Sequence, residues 1–255
     1  MNLLHAALLG IVEGVTEFLP VSSTGHLILA SRLLGLEPTE FVKSFEIAIQ
    51  LGAILAVVAL YGRTLLARPP VLRRVLAAFV PTAAAGFVLY KIVKRYLLSN
   101  DRAVLWALFL GGIALIAFEL FHKERETDVE DLGEIPYRHC VLIGLCQAAA
   151  IFPGVSRSAA TILGGLSLRL KRKAIVEFSF LLAVPTMLAA TALDLLKSAH
   201  SFSAGEFRFL AVGAVVSFAV AALSIRFLLR FVRSHTFIPF GFYRIFAALA
   251  FWFLR

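Results

Sequence analysis

Two glutamates four residues apart, Glu13 and Glu17, sit in an apolar stretch that runs at once into Ser22, Ser23, Thr24 and His26. On a helix the two carboxylates share a face, where they would hold a hard divalent cation or share a proton. The plainer alternative is a surface helix with a solvated pair, and the apolar flanks argue against it. The hydroxyl cluster would either cap the helix that follows or leave that helix's first N–H groups to an anion. A histidine near a serine would serve as general base or as nucleophile. Far along the chain, Arg157 stands between Ser156 and Ser158 in another apolar segment. Its planar fork suits phosphate oxygens; the alternative is a structural ion pair with Glu13 or Glu17. Carboxylates, hydroxyls, an imidazole and a guanidinium fit phosphoryl transfer, where positioning and charge neutralisation carry the reaction. Neither segment has the lysine and glycine spacing of a Walker loop. Weaker signals are Glu46 and Gln50, on one face of an apolar run and able to line a cavity. Glu177 is expected to cap its helix, Asp194 to pair with Lys197, and His5 and His139 to be interfacial.

The elements that must hold these residues are read from composition. Of 255 residues, 60% are hydrophobic and 16% charged, against about a quarter charged in ordinary soluble domains. Long continuous apolar runs such as Ile47–Leu60, Val104–Phe118 and Phe209–Leu223 point to membrane-spanning helices rather than a barrel. A formal net charge of +9 could suggest nucleic acid, but the basic residues lie in short clusters between apolar runs, as in loops at a membrane surface, so no nucleic-acid partner is expected. Met1–Gly10 has no basic region and Glu13 interrupts the apolar stretch early, so the N-terminus does not read as a cleavable signal. Cys140 and Cys146 fit neither a zinc site nor an evident disulfide, and read as packing residues.

Six full spans are expected, about Phe41–Tyr61, Leu72–Tyr90, Ala103–Phe121, Ala174–Leu196, Phe207–Leu229 and a short Phe240–Leu254. Two other regions are interrupted by proline, glycine and hydroxyl residues. These are Leu3–Leu34, broken at residues 17–25, and Cys140–Leu168, broken at 152–158; each reads as a re-entrant helix–loop–helix. Sliding the first by 134 residues lays Leu8, Gly10, Phe18, Val21, Ser22 and Ile28 on Leu142, Gly144, Phe152, Val155, Ser156 and Ile162. Glu13 meets Gln147 and Thr24 meets Ser158. The chain therefore reads as an all-α integral membrane protein built from an inverted repeat, each half a re-entrant hairpin plus three transmembrane helices. The halves are residues 1–122 and 138–255, joined by a polar linker, 123–137. With Arg63–Arg74 inside, fourteen basic loop residues lie inside and eight outside, a positive-inside bias that lets the two broken tips meet near the midplane.

Several segments resemble a known family. Glu-Gly-Val-Thr-Glu-Phe-Leu-Pro-Val-Ser-Ser-Thr-Gly-His at 13–26 and Pro-Gly-Val-Ser-Arg-Ser-Ala-Ala-Thr at 153–161 are similar to the two signatures of bacterial undecaprenyl-diphosphate phosphatases of the bacitracin-resistance type. Glu-Phe-Ser-Phe-Leu-Leu-Ala-Val-Pro at 177–185 and Tyr-Arg-Ile at 243–245 also resemble family segments, and Ala159 stands where glycine is expected. The resemblance implies hydrolysis of undecaprenyl diphosphate to the monophosphate carrier for cell-wall synthesis, in the bacterial inner membrane, at a site open to the outer face. It implies a divalent cation, Mg2+ or Ca2+, held by Glu13 and Glu17, and a homodimer among membrane lipids. Glu13, Glu17, Ser23, His26 and Arg157 become the expected catalytic group, with Ser23 or His26 as nucleophile or water attacking directly. Ser22, Thr24, Gln147, Ser156, Ser158 and Thr161 become expected substrate-binding residues. The alternative reading is a transporter or flippase for an anionic isoprenyl lipid, since inverted repeats with broken helices are common there.

Overall fold

The computed structural model describes residues 1–92, 101–198 and 206–253. The side chains of Asp194 and Lys197 and the loop charges Lys94, Arg95 and Arg255 fall outside what it describes. Among the described residues the chain is helical, with one isolated bridge between Val129 and Leu170. The helices are α1 (Leu3–Thr16), α2 (Ser23–Leu33), α3 (Glu40–Ala48), α4 (Gln50–Ala67), α5 (Pro69–Ile92) and α6 (Asp101–Phe121), then α7 (Tyr137–Ala148), α8 (Arg157–Ser167), α9 (Arg172–Ser198), α10 (Phe207–Phe231) and α11 (Ile238–Phe253).

Among the described residues, five stretches are long and apolar enough to cross a membrane: Glu40–Ala67, Pro69–Leu89, Arg102–Phe121, Arg172–Leu193 and Phe207–Phe231. The sixth expected span corresponds to α11. Its 16 residues make a helix of about 24 Å, shorter than a hydrocarbon core of about 30 Å. The first expected span is longer than its apolar run and is stepped at Ile49, where α3 gives way to α4. Both interrupted regions do break. α1 starts on Asn2, whose side chain accepts from the His5 N–H, and stops at Thr16. Pro20 then lies in the turn, since it has no N–H to continue a helix. α2 resumes at Ser23, so Thr24 and Gly25 are helical rather than part of the break. α7 passes through a 3-10 turn at Ala149–Ile151 into a bend, and α8 starts at Arg157, two residues earlier than the sequence suggested.

Close packing depends on small residues. α1 lies along α10, α7 along α5, α6 against α11, and α4 against α9 and α10. A Cβ on Gly10 would stand 2.6 Å from the Gly213 carbonyl oxygen. A Cβ on Gly144 would overlap the Ala78 carbonyl oxygen. These two glycines are the pair that the 134-residue offset superposes, and each lets its half-helix press onto a long helix, the usual means of helix association where no water drives it. The largest buried cluster runs from α4 to α11 and includes Phe178, Phe180, Leu181 and Ile162.

The polar linker is folded down onto the helices. Val129 exchanges backbone hydrogen bonds with Arg169 and Lys171 at 2.9 Å each. Arg68 donates to both Asp131 oxygens at 2.7 and 2.8 Å, and Lys171 to Glu130 at 2.6 Å. The Arg68 hydrogen bond, helped by the Gly133 N–H, holds the Asp131 carboxyl below its usual range, and Lys171 does the same for Glu130. Glu177 lies half-buried beside this linker, lining a cavity with Tyr61, Thr64 and Arg68. Cys140 and Cys146 are free thiols, and Cys146 packs on Gly164.

Candidate active site

The two breaks meet. The Ser158 hydroxyl donates to the Phe18 carbonyl at 2.9 Å, and the Arg157 guanidinium pairs with Glu17 at 2.8 Å. Each break ends on a serine held at positive φ, 73° at Ser22 and 73° at Ser156, in a region that a side-chain-bearing residue visits at a cost of about 1–3 kcal/mol. The two serines differ in use. The Ser156 hydroxyl caps α8 by accepting from the Ala159 N–H at 3.2 Å. Ser22 gives α2 no side-chain cap, so the first N–H groups of α2 are left to an anion, reinforced by the helix dipole.

Glu17 is the hub. One oxygen takes the Arg157 guanidinium at 2.8 Å and the other accepts the Ser23 hydroxyl at 2.5 Å. Arg157 is fixed from behind by Ser179, whose carbonyl and hydroxyl accept Nη1 at 2.9 and 3.2 Å, and by the Phe18 ring, 5.6 Å from the guanidinium carbon. Its Nε has no partner. Thr161 bonds the Ser179 hydroxyl at 2.6 Å.

These groups form the polar end of a cavity of about 700 Å³. Glu17, Ser22, Ser23, Thr24, Ser156 and Arg157 line that end; Phe79, Phe87, Ala189, Ala190 and Leu193 are among the apolar residues of the remaining wall, which also carries Glu40, Lys43, Ser44 and Gln50. Gln147 lies on the wall, donating to Thr82 at 2.8 Å and Thr186 at 3.1 Å, while its own carbonyl oxygen is buried without a partner. The cavity thus combines hydroxyls and a guanidinium with a mainly apolar lining, the chemistry suited to a ligand with a charged head and a hydrocarbon tail.

Five residues expected at the site stand off the cavity lining. Ser158 and Thr161 were expected at the substrate; both are buried, with their hydroxyls bonded internally, and neither reaches the cavity. His26 is also off the lining. Its Nδ1 bonds the Ser22 carbonyl at 2.8 Å and its Nε2 the Tyr243 hydroxyl at 2.9 Å, so it makes no bond to Ser23. Glu13 is fully buried one helical turn behind Glu17, and neither carboxylate oxygen has a hydrogen-bond partner. Glu46, expected on the cavity, instead accepts from Ser31 at 2.5 Å.

Among the described residues, no three His, Cys, Asp or Glu side chains converge as a ready-made metal cage. The donor set nevertheless fits a hard cation. Glu13 offers two buried oxygens with no other partner, beside Glu17, and the remaining ligands would come from a phosphorylated substrate and water, the usual habit of Mg2+.

Sequence reasoning placed Ser179, Tyr243 and Arg244 only within segments that resemble the family and gave them no role. Arg244 carried a usable signal, as a guanidinium in the middle of an apolar helix.

Fold and site together define a polytopic helical membrane protein with a hydroxyl, a carboxylate and a guanidinium joined at the end of an amphipathic cavity. Comparison narrows the class: the model of the family described as bacitracin resistance protein BacA matches residues 6–250, and the chain belongs to that family. It is 52% identical over 245 residues to an undecaprenyl-diphosphatase of a Sulfurihydrogenibium species, covering 96% of each chain. To the undecaprenyl-diphosphatase of Aquifex aeolicus it is 50% identical over 247 residues, 97% of this chain and 96% of the other. The corresponding protein of Thermus thermophilus is 50% identical over 257 residues, 98% and 97%.

Proposed function

We propose that this chain is a membrane phosphatase that hydrolyses undecaprenyl diphosphate to undecaprenyl phosphate and inorganic phosphate, recycling the lipid carrier of cell-wall synthesis. The observation that carries the reading is the Glu17 carboxylate, which binds the Ser23 hydroxyl and the Arg157 guanidinium at the polar end of a cavity with a mainly apolar lining. The diphosphate enters at the α2 N-terminus and Arg157, and the isoprenyl chain lies along Phe79, Phe87 and Leu193. The diphosphate competes with Glu17 for the guanidinium, which leaves Glu17 free to accept a proton. Ser23 Oγ attacks the terminal phosphorus, and its proton passes to Glu17. The bond from that phosphorus to the bridging oxygen breaks, and the lipid monophosphate departs. Glu17 gives that proton up to the departing monophosphate oxygen. Water then attacks the phosphoserine and gives a proton to Glu17, which passes it to Ser23 Oγ as the bond from phosphorus to Oγ breaks, releasing phosphate and restoring the Ser23 hydroxyl. A divalent cation held by Glu13 and Glu17 would neutralise diphosphate charge. His26 has both ring nitrogens engaged by Ser22 and Tyr243, which supports Ser23 as nucleophile.

The reading extends to the architecture. The two breaks belong to re-entrant hairpins of inverted halves in the bacterial inner membrane, with the cavity open to the outer face and two copies pairing as a homodimer. Support comes from the 134-residue offset, the matched packing of Gly10 and Gly144, the matched φ of Ser22 and Ser156, and the loop charges. The test is phosphate release from undecaprenyl diphosphate by the purified chain in detergent, with and without EDTA, beside Ser23→Ala. Release that Ser23→Ala abolishes is expected; release unchanged in Ser23→Ala overturns the nucleophile, and no release from the parent chain overturns the function. Cysteine-accessibility labelling of the α1–α2 break and native mass spectrometry test sidedness and pairing.

A further inference from the structure

Arg244 is fully buried in α11, and no carboxylate among the described residues pairs with it. A guanidinium has five N–H donors, and here each has one carbonyl. Nε donates to Leu108 at 3.2 Å and Nη2 to Ala107 at 3.0 Å, both on α6. The second Nη2 proton goes to Gly154 at 2.9 Å. Nη1 donates to Val155 at 3.1 Å and to Pro20 at 3.3 Å. One side chain therefore ties the first break and the second break to the same turn of α6. Gly111 is what lets it in, because a Cβ there would collide with the guanidinium.

The neighbouring residue acts on the same elements. The Tyr243 hydroxyl bonds His26 Nε2, and the two rings stack with centroids 5.5 Å apart and planes 9° from parallel. The Ser22 carbonyl can only accept, so His26 Nδ1 is the donor in that 2.8 Å bond. In the neutral ring Nε2 accepts from Tyr243, and in the charged ring it donates to it; in neither state does a lone pair face Ser23. The carbonyl so gripped belongs to a residue at φ 73°, a backbone that persists only when its surroundings enforce it. Its orientation sets where Ser23, the next residue, points its hydroxyl.

We propose that Tyr243 and Arg244 are positioning residues of the phosphatase site: Arg244 locks the two breaks together, and Tyr243, through His26, fixes the Ser22 carbonyl and hence Ser23. The inference rests on the phosphatase reading above, and neither residue touches substrate. Misplacing a nucleophile raises the barrier without weakening ground-state binding, so the loss falls on kcat rather than KM.

The test uses the whole chain in detergent with an isoprenyl diphosphate. Tyr243→Phe keeps the ring and removes only the hydroxyl. It is expected to lower kcat about tenfold, with KM and melting temperature near those of the parent chain. In 15N-histidine NMR, the His26 Nε2 resonance, assigned by its loss in His26→Asn, is expected to move in Tyr243→Phe. Because both residues act through one carbonyl, Tyr243→Phe/His26→Asn should lose no more than His26→Asn alone. Arg244→Lys keeps the charge but not the five-way fork and should lose more activity; if it does not fold, the Tyr243→Phe arm decides. An unaltered kcat in Tyr243→Phe, a loss matched by a fall in melting temperature, or additive losses in the double variant would overturn the inference while leaving the phosphatase reading intact. No phosphate release from the parent chain would overturn both.

Discussion

Replacing Arg157 by lysine keeps the positive charge and removes the fork. In the structure Nη1 donates to Ser179 twice while Nη2 reaches Glu17 at 2.8 Å, so the head bridges α9 and the break after α1 at once. A lysine ammonium is a single centre and can serve only one of the two sides. The variant therefore loses about one charge-assisted contact to the diphosphate or to Glu17, worth about 1.5–3 kcal/mol. That converts to a fall in kcat/KM of about tenfold to somewhat over a hundredfold. Arg157→Ala should lose more, and should also lose stability, because the ion pair is nearly buried, with side-chain exposures of 12% and 5%. Removing one partner of such a pair leaves an uncompensated charge, a penalty of about 3–5 kcal/mol. Arg157→Ala/Glu17→Gln should regain much of that stability but none of the activity. The assay is phosphate release and melting temperature for the parent, Arg157→Lys, Arg157→Ala, Glu17→Gln and the double variant. Full turnover in Arg157→Lys, or restored stability together with near-normal turnover in the double variant, would refute the catalytic assignment and leave a structural ion pair.

Glu17→Gln should lose stability, since it too leaves the Arg157 charge without its partner, and should turn over very slowly, since the amide cannot take the Ser23 proton; parent-like release would count against the base. Gly144→Leu should depress the melting temperature, because its side chain would drive α7 off the Ala78 carbonyl, and thermal unfolding in detergent reads this. The Asp131 carboxyl, depressed by Arg68, contributes stability above its ordinary range and loses it as pH falls through its lowered value. The pair is exposed, so an Arg68→Ala/Asp131→Ala cycle should give about 1 kcal/mol or less at neutral pH, shrinking toward pH 3 and in high salt; a larger coupling that persists at pH 3 would refute this account.

Much of the site was visible in residue types. Two carboxylates, a hydroxyl run and an arginine inside apolar sequence announce chemistry, and proline and glycine mark where the helices stop. Sequence spacing could not say which hydroxyls face the cavity. Ser156 and Ser158 flank Arg157, yet only Ser156 lines it, because α8 has already begun and its turn carries Ser158 toward Phe18. Nor could spacing show that His26 is gripped from both sides, since its partner is more than two hundred residues away at Tyr243. The stepped first span and the short α11 were obscured for the same reason: apolar runs report burial in hydrocarbon or in protein alike, and α11 is apolar partly because it packs on α6.

Ser22 and Ser156 share one backbone shape, but only Ser156 turns its hydroxyl to its own helix. The two helix starts are consequently unequal. At α8 the Ser156 hydroxyl takes the Ala159 N–H, while at α2 no side chain takes any of the first N–H groups. A lipid diphosphate offered both starts is expected to seat its head at α2, which would present its terminal phosphorus to Ser23. If this unequal pair of elbows selects the phosphorus, opening the second one by Ser156→Ala should raise the share of attack at the inner phosphorus, read from whether oxygen from labelled water ends in the released phosphate or in the lipid monophosphate.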